Sequence, residues 1–391
     1  MLTTKSNPGL GTETKILMYD GTIKNIKDIS VGDILMGNDS TPRTVIELYN
    51  GTDEMYEIIP KKGDSIIMNG TQYVSLVCSY KPATHWDKGQ NRYRIKYNSM
   101  LDNSIKSKSF YVREYGSKEQ ALHEMQLFQQ QLIHCDVFKD ITLDTCITKK
   151  FNKGGKWLLY RTEVNFLLPK NELLIDPYYL GLWLGDGTSA NPIKITNIDQ
   201  VVIDYIYKYA EELGLKVSKE KITYGIISNG KKRANTLLNY FRFYGLVNNK
   251  HVPLIYKTAP RNIRLQILAG LMDTDGAASD GGFEITQKSD VIASDILYLA
   301  RSCGFAAYSK KSKKGCMYKG EYREGLYNRI FISGDCSDIP TLIPRKQMGP
   351  RKMNKDVLHV RIDIKSIGID NYYGFKLDGN EKFILDDFTV I

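Results

Sequence analysis

A chain of 391 residues that is 42% hydrophobic and 25% charged is an ordinary water-soluble protein, long enough for two or three domains with cores of their own. Its 54 Lys and Arg against 44 Asp and Glu leave a net charge of +10, which favours a polyanionic partner. No apolar run is long enough to span a membrane, no signal-peptide core is present, and the six cysteines, Cys78, Cys135, Cys146, Cys303, Cys316 and Cys336, contain no C-x-x-C pair; neither a zinc site nor a disulfide framework is indicated, and a soluble, intracellular protein is expected.

From Thr14 to Ile59 short apolar and polar residues alternate between the turn pairs Asp20-Gly21, Gly32-Asp33, Gly37-Asn38, Thr41-Pro42 and Asn50-Gly51, which predicts an all-β unit. The same signature returns at the far end. Tyr373–Leu377, the turn Asp378-Gly379-Asn380 and Phe383–Val390 predict a hairpin, and since a lone hairpin is marginal it is expected to complete the N-terminal unit.

The stretches Glu13–Leu48 and Ile369–Ile391 resemble the Hedgehog/intein-type splicing domain of inteins. That resemblance implies a Cys or Ser nucleophile where this chain has Gly9, an assisting histidine where it has Gln72, and a terminal His-Asn where it ends at Ile391. Glycine offers no nucleophile and glutamine no titratable proton near neutral pH. The three positions therefore read as degenerate splicing positions. Either residues 1–8 are host protein in a chain disabled to stay unspliced, or the chain is a free-standing, intein-derived nuclease, similar to the mating-type-switching endonucleases.

Residues 88–118 hold eight basic residues, Lys88, Arg92, Arg94, Lys96, Lys106, Lys108, Arg113 and Lys118, against Asp102 and Glu114. In Arg92–Tyr97 the alternation puts Arg92, Arg94 and Lys96 on one strand face, fit to contact DNA phosphates and base edges. Downstream, Gly116 marks a turn, Ser117 an N-cap, and Ala121, Leu122, Met125 and Phe128 the apolar face of a helix. This resembles the small three-strand-plus-helix DNA-binding module of the Apetala type.

Two apolar runs follow, Tyr179–Gly187 (YLGLWLGDG) and Leu268–Gly276 (LAGLMDTDG). In each, small residues four apart, Gly181 and Gly185, then Gly270 and Thr274, form a stripe that lets two helix backbones touch. Each helix ends at a carboxylate followed by glycine, Asp186-Gly187 and Asp275-Gly276. Two acids converging at helix C-termini oppose each other and the macrodipole unless a cation joins them. The motifs start 89 residues apart (268 minus 179), and strand and helix patterns recur after each. Lys194 and Thr196 alternate with Ile193 and Ile195, as Glu284 and Thr286 do with Phe283 and Ile285. A basic loop is expected at 310–323, with Lys310, Lys311, Lys313, Lys314, Lys319 and Arg323.

These motifs resemble the LAGLIDADG homing endonucleases. The resemblance implies a pseudo-symmetric α/β nuclease of two αββαββα-like repeats that bind double-stranded DNA as a monomer. Asp186 and Asp275 would hold Mg2+ (or Mn2+), and Lys221, with Lys219 behind it, would be the basic residue of the first half, with Arg329 or Arg323 in the second. The expected domains are the β unit at 9–80 and 357–391, the DNA-recognition insert at 81–168 and the nuclease at 169–356, its repeats at about 174–256 and 262–345. The expected function is metal-dependent staggered double-strand cleavage of a long asymmetric DNA site, in the nucleus if the cell is eukaryotic. Two alternatives stay open: a protein-splicing element with host protein flanks, and a maturase-like nucleic-acid binder that does not cut.

Overall fold

The computed structural model describes residues 6–78, 83–98, 105–132, 137–151, 157–166, 172–188, 193–230, 234–318, 321–351 and 355–391. Among these no helix is long and apolar enough to cross a membrane.

The β unit is built around two long antiparallel strands, Pro42–Pro60 and Ile362–Leu377, paired along almost their whole length. Leu10–Gly11, Ile34–Met36 and Ile66–Asn69 complete their sheet. Asn50-Gly51, expected as a turn, lies inside the first long strand opposite Tyr373 and Tyr372. A dipeptide signal loses to pairing when a distant strand supplies a partner for every backbone group. For the same reason Tyr373–Leu377 does not form the expected hairpin with Phe383–Val390: it pairs with Pro42–Pro60, and the last segment joins through the single bridges Ile16 to Leu385 and Arg161 to Thr389 and closes on itself at Ile384 and Val390.

A second sheet of the unit, in the order Val137–Thr142, Tyr73–Cys78, Leu158–Tyr160 and His359–Val360, corrects the expected insert boundary. Residues 137–151 and 157–160 belong to the β unit, and Ile141, Leu143, Cys146, Phe151, Trp157 and Leu159 are buried in its core. The insert proper is smaller. It has three antiparallel strands, Ala83–Asp87, Arg92–Asn98 and Ile105–Tyr111, backed by the helix Lys118–Leu132. Ser117 caps that helix, its Oγ accepting from Gln120 N. Ile95, Phe110 and Met125 form the buried centre between sheet and helix.

The two repeats share one large core. The first contains helix Pro177–Asp186, strand Lys194–Thr196, helix Gln200–Glu212, strands Lys216–Glu220 and Thr223–Ile227, and helix Thr236–Phe243. The second contains helix Arg261–Thr274, strands Gly276–Ser279 and Gly282–Gln287, helix Asp290–Ser302, and strands Ala306–Tyr318 and Glu321–Ser333. The basic stretch expected as a loop is therefore two arms of a long hairpin. Its lysines and glycines carry too little apolar alternation to announce a strand. Lys319 and the side chain of Arg323 lie outside the described residues.

The β unit and the repeats meet over a small apolar cluster of Leu17, Met36, Ile384 and Phe388 with Val164 and Tyr298. Beside it the guanidinium of Arg161, 3% exposed, bonds Asp387 Oδ2 at 2.8 Å and Tyr308 Oη at 3.2 Å. Asp387 is buried, but the Arg161 charge holds its carboxyl below the usual range.

Candidate active site

The two motif helices cross at their small residues. A Cβ added to Gly181 would lie 2.2 Å from Ile267 O, and one added to Gly270 would lie 2.3 Å from Tyr178 O and 2.6 Å from Leu182 N. At Gly185 the obstacle is the side chain of Thr274, with Oγ1 at 2.0 Å. Backbone thus meets backbone across the interface, as the stripe required. Asp176 caps the first helix through Tyr179 N, with Pro177 in its first turn.

The helix ends bring Asp186 and Asp275 into one electrostatic field. Burial, and after it the Asp275 charge, push the Asp186 carboxyl up to about 6, with Lys346 and Lys250 opposing. Both lysines sit over the helix ends. Lys250 Nζ donates to Leu184 O at 3.0 Å and Gly185 O at 3.2 Å. Lys346 Nζ donates to Met272 O, Asp273 O and Thr274 O at 2.8, 2.9 and 3.0 Å. Each ammonium satisfies carbonyls that a helix terminus leaves unpaired and neutralises the negative end of the dipole. Burial pulls Lys250 down to about 8, against the raising effect of Asp275 and Asp186; it also lowers Lys346, against Asp273 first among its neighbours.

These lysines were not anticipated. Lys221 is exposed at a left-handed position of the turn between Lys216–Glu220 and Thr223–Ile227, with φ of 54°, and its charge is not among those acting on Asp186. Lys219 lies over the Tyr224 ring. Arg329 is held by both carboxylate oxygens of Glu284 on the exposed sheet face. The usable signal was the repeat: Lys250 follows Asp186 by 64 positions (250 minus 186) and Lys346 follows Asp275 by 71 (346 minus 275). Both fall at the tail of a repeat, after the strands where a basic residue was sought.

The acids are not held alike. Gln287 Nε2 donates to Asp275 Oδ2 at 2.6 Å. Its counterpart in the first repeat, Asn197, instead accepts from Asp199 N, and among the described residues nothing hydrogen-bonds to the Asp186 carboxylate. No three His, Cys, Asp or Glu side chains gather as a metal cage among those residues. The donor set is two carboxylates, one of them raised by burial and by the other, which suits a hard divalent cation with its remaining ligands from water and phosphate.

On the exposed sheet faces, Lys194 pairs with Glu220, Thr196 with Thr223, and Lys314 Nζ reaches Thr286 Oγ1. Lys310 stands in register with Arg329. Lys311 pairs with Asp290 at the start of the helix Asp290–Ser302, and Lys313 with Glu324.

In the insert, His85, Arg94 and Ser109 lie in one row across the three strands, with Asp87, Arg92 and Tyr111 in the next. Arg92 bonds Asp87, Ser109 and Tyr111, Arg94 bonds Ser107, and Lys96 shares their face. Arg113 stacks on Tyr111. Lys106 stands opposite Tyr97. Lys108 departs from the expectation: it stands opposite Ile95 on the helix-covered side, its ammonium 4.1 Å from the Phe128 ring centre.

The positions expected to be degenerate splicing positions lie around one cavity. Gln72 and Ile391 line one cavity of about 370 Å3 with Pro8, the residue before Gly9. Gly9 N donates to Asn69 Oδ1 at 3.0 Å, and Asn69 Nδ2 donates to Asn7 O. The space for a side chain at position 9 is taken: a Cβ there would lie 2.1 Å from the Tyr372 ring. Neither Asn69 nor Tyr372 was singled out in the sequence.

Residues 10–132 match the family model described as Hom_end-associated Hint. The replicative DNA helicase DnaB of Mycobacterium intracellulare is 34% identical over 141 residues, 35% of this chain and 20% of that protein. The homothallic switching endonuclease of Saccharomyces cerevisiae is 21% identical over 376 residues, 76% of this chain and 63% of that protein. The chain therefore spans less than two thirds of each. Among solved structures, a gp41-1 intein is 24% identical with a TM-score of 0.16, covering 18% of this chain and 53% of its own. The structure of I-DmoI in complex with DNA and Ca is 15% identical with a TM-score of 0.26, covering 41% and 85%.

Proposed function

We propose that this chain is an intein-type protein with a Hint unit and a homing-endonuclease unit, and that it cuts both strands of a specific DNA duplex with a divalent cation. The observation that carries this is the meeting of Asp186 and Asp275 at the ends of two helices in backbone contact, with an ammonium group over each end.

Asp186 and Asp275 would hold Mg2+ or Mn2+ against the scissile phosphates. When bound, such an ion supplies an activated water and charge stabilisation for phosphodiester hydrolysis. Gln287 keeps Asp275 in one orientation. Lys250 and Lys346 place fixed positive charge beside the phosphates, where negative charge grows in the transition state. The outer sheet residues Lys194, Thr196, Thr286, Lys310, Lys314 and Arg329 face the duplex. Arg92, Arg94 and Lys96 of the insert add a second contact that lengthens the site, and two unlike repeats make it asymmetric. Phosphate contacts of this kind supply affinity, and base-edge contacts the choice of site.

The test is incubation of the protein with Mg2+ and fragments of uninterrupted host genes, beside Asp186→Asn and Asp275→Asn. Wild type should yield a staggered double-strand break and both variants none; cleavage that survives either substitution refutes the assignment. A second reading, a disabled splicing element, is favoured by the cavity that joins Pro8, Gln72 and Ile391. Ligated flanks after Gly9→Cys and Gln72→His, with a His-Asn-Cys extension, would support it.

A further inference from the structure

We propose that each site lysine is aimed by a strap tied to the opposite repeat: Asp295 of the second repeat positions Lys250, and Asp199 of the first repeat, through Arg345, positions Lys346. The proposal rests on the nuclease reading above.

Lys250 belongs to the first repeat, on the segment between helices Thr236–Phe243 and Leu254–Lys257. Two residues on, Val252 N donates to Asp295 Oδ2 at 2.6 Å, and Lys257 Nζ meets Asp295 Oδ1 at 2.5 Å. Asp295 is 3% exposed on the helix Asp290–Ser302 of the second repeat. A buried carboxylate that takes both contacts fixes the strap on either side of its far end.

Lys346 belongs to the second repeat, on the single turn Pro344–Lys346. Its neighbour Arg345 makes a two-pronged pair with Asp199. Asp199 precedes the helix Gln200–Glu212 of the first repeat, yet its side chain caps nothing there; the carboxylate is given to Arg345. Upstream, Leu342 N and Ile343 N donate to Asp273, which also accepts from Tyr178 Oη on the first motif helix.

Ion pairs between halves could be glue alone. The placement argues for more. For each lysine one tie, at Val252 or at Arg345, falls within two residues and crosses the interface, and among the described residues each ammonium is otherwise held through helix-end carbonyls and, for Lys250, the Trp183 ring. The direction of the ammonium then follows the backbone of its strap. A carboxylate in one repeat thereby sets the cation of the other centre.

The experiment follows single-turnover cleavage of a duplex bearing the site cut by wild type, with each strand end-labelled in turn. Lys250→Met and Lys346→Met identify the strand each lysine serves. Asp295→Asn should slow the strand slowed by Lys250→Met, and Asp199→Asn the strand slowed by Lys346→Met, roughly tenfold or more for a displacement approaching 1 Å. DNA affinity should stay unchanged, and Asp199→Glu should recover most of the rate. Asp199 is near the surface, so its variant tests the idea even where Asp295→Asn fails to fold. Equal slowing of both strands, slowing of the other strand, or lysine variants that single out no strand would overturn the proposal. A wild type that cuts nothing overturns the nuclease reading as well.

Discussion

Alanine at Gly270 tests the geometry on which the site depends. The added methyl would sit 2.3 Å from Tyr178 O; restoring ordinary contact near 3.4 Å requires the helices to part by about 1.1 Å (3.4 minus 2.3). Alanine gains about 1 kcal/mol over glycine in a helix, while overpacking costs about 1–3 kcal/mol and here strikes backbone rather than a side chain that can turn away. The net should be a loss of up to about 2 kcal/mol, visible as a lower urea midpoint. Activity should fall further, because a 1 Å misplacement of reacting groups costs roughly 100-fold. Gly181→Ala, blocked by Ile267 O, should behave alike, and so should Gly185→Ala, because the Thr274 Cβ lies 2.7 Å from the added methyl whatever its rotamer. Single-turnover cleavage at saturating protein is the assay. A Gly270→Ala protein that keeps wild-type stability and cuts at the wild-type rate would refute the claim of backbone contact.

Three further outcomes are expected. With Asp186 raised to about 6 by burial and by Asp275, cleavage at limiting Mg2+ should rise through pH 6, and more Mg2+ should shift the midpoint down because metal and proton compete; a midpoint indifferent to Mg2+ would exclude Asp186 as a ligand. Burial, and next the Asp387 charge, push Asp386 up to about 6. Its neutral form is favoured in the fold, so its contribution to stability is fully present below the unfolded value near 3.8 and is lost as pH rises through 6. Asp386→Asn should therefore stabilise the protein on the order of 2 kcal/mol at pH 7 and little at pH 4, and urea unfolding at the two pH values checks this. Gly9→Cys should cost about 1–3 kcal/mol through collision with Tyr372, and Tyr372→Ala should relieve it; a Gly9→Cys protein of unchanged stability would show that the ring moves aside freely.

What was legible in the sequence was local. The glycine stripes, the acids at the helix ends and the Ser117 cap follow from spacing along one element, and the structure places them as spacing requires. What was not legible depends on partners far along the chain. Lys250 and Lys346 reach the helix ends on segments distant in sequence, whose neighbouring residues pair with the opposite repeat. The Asn50-Gly51 signal is genuine as a dipeptide but is overruled by a strand more than 300 positions away (372 minus 51). The strands Val137–Thr142 and Leu158–Tyr160 carry the same alternation as the insert before them, and their pairing with Tyr73–Cys78 assigns them to the β unit.

The pairing of Gly11 and Gly51 with Tyr372 has a consequence for how the protein comes to be made. The repeats and the insert lie wholly inside that span, and the two repeats together and the insert by itself can gather their cores from their own residues while the chain is still emerging. The long strand Pro42–Pro60 must wait, its edge open, until Ile362–Leu377 has been synthesised. Loop closure itself is a small obstacle, since its entropy grows only with the logarithm of length. The hazard is the delay, during which an unpaired strand edge can find the wrong partner. A pair of repeats that folds early shortens the effective gap and delivers the last strand to the sheet that needs it.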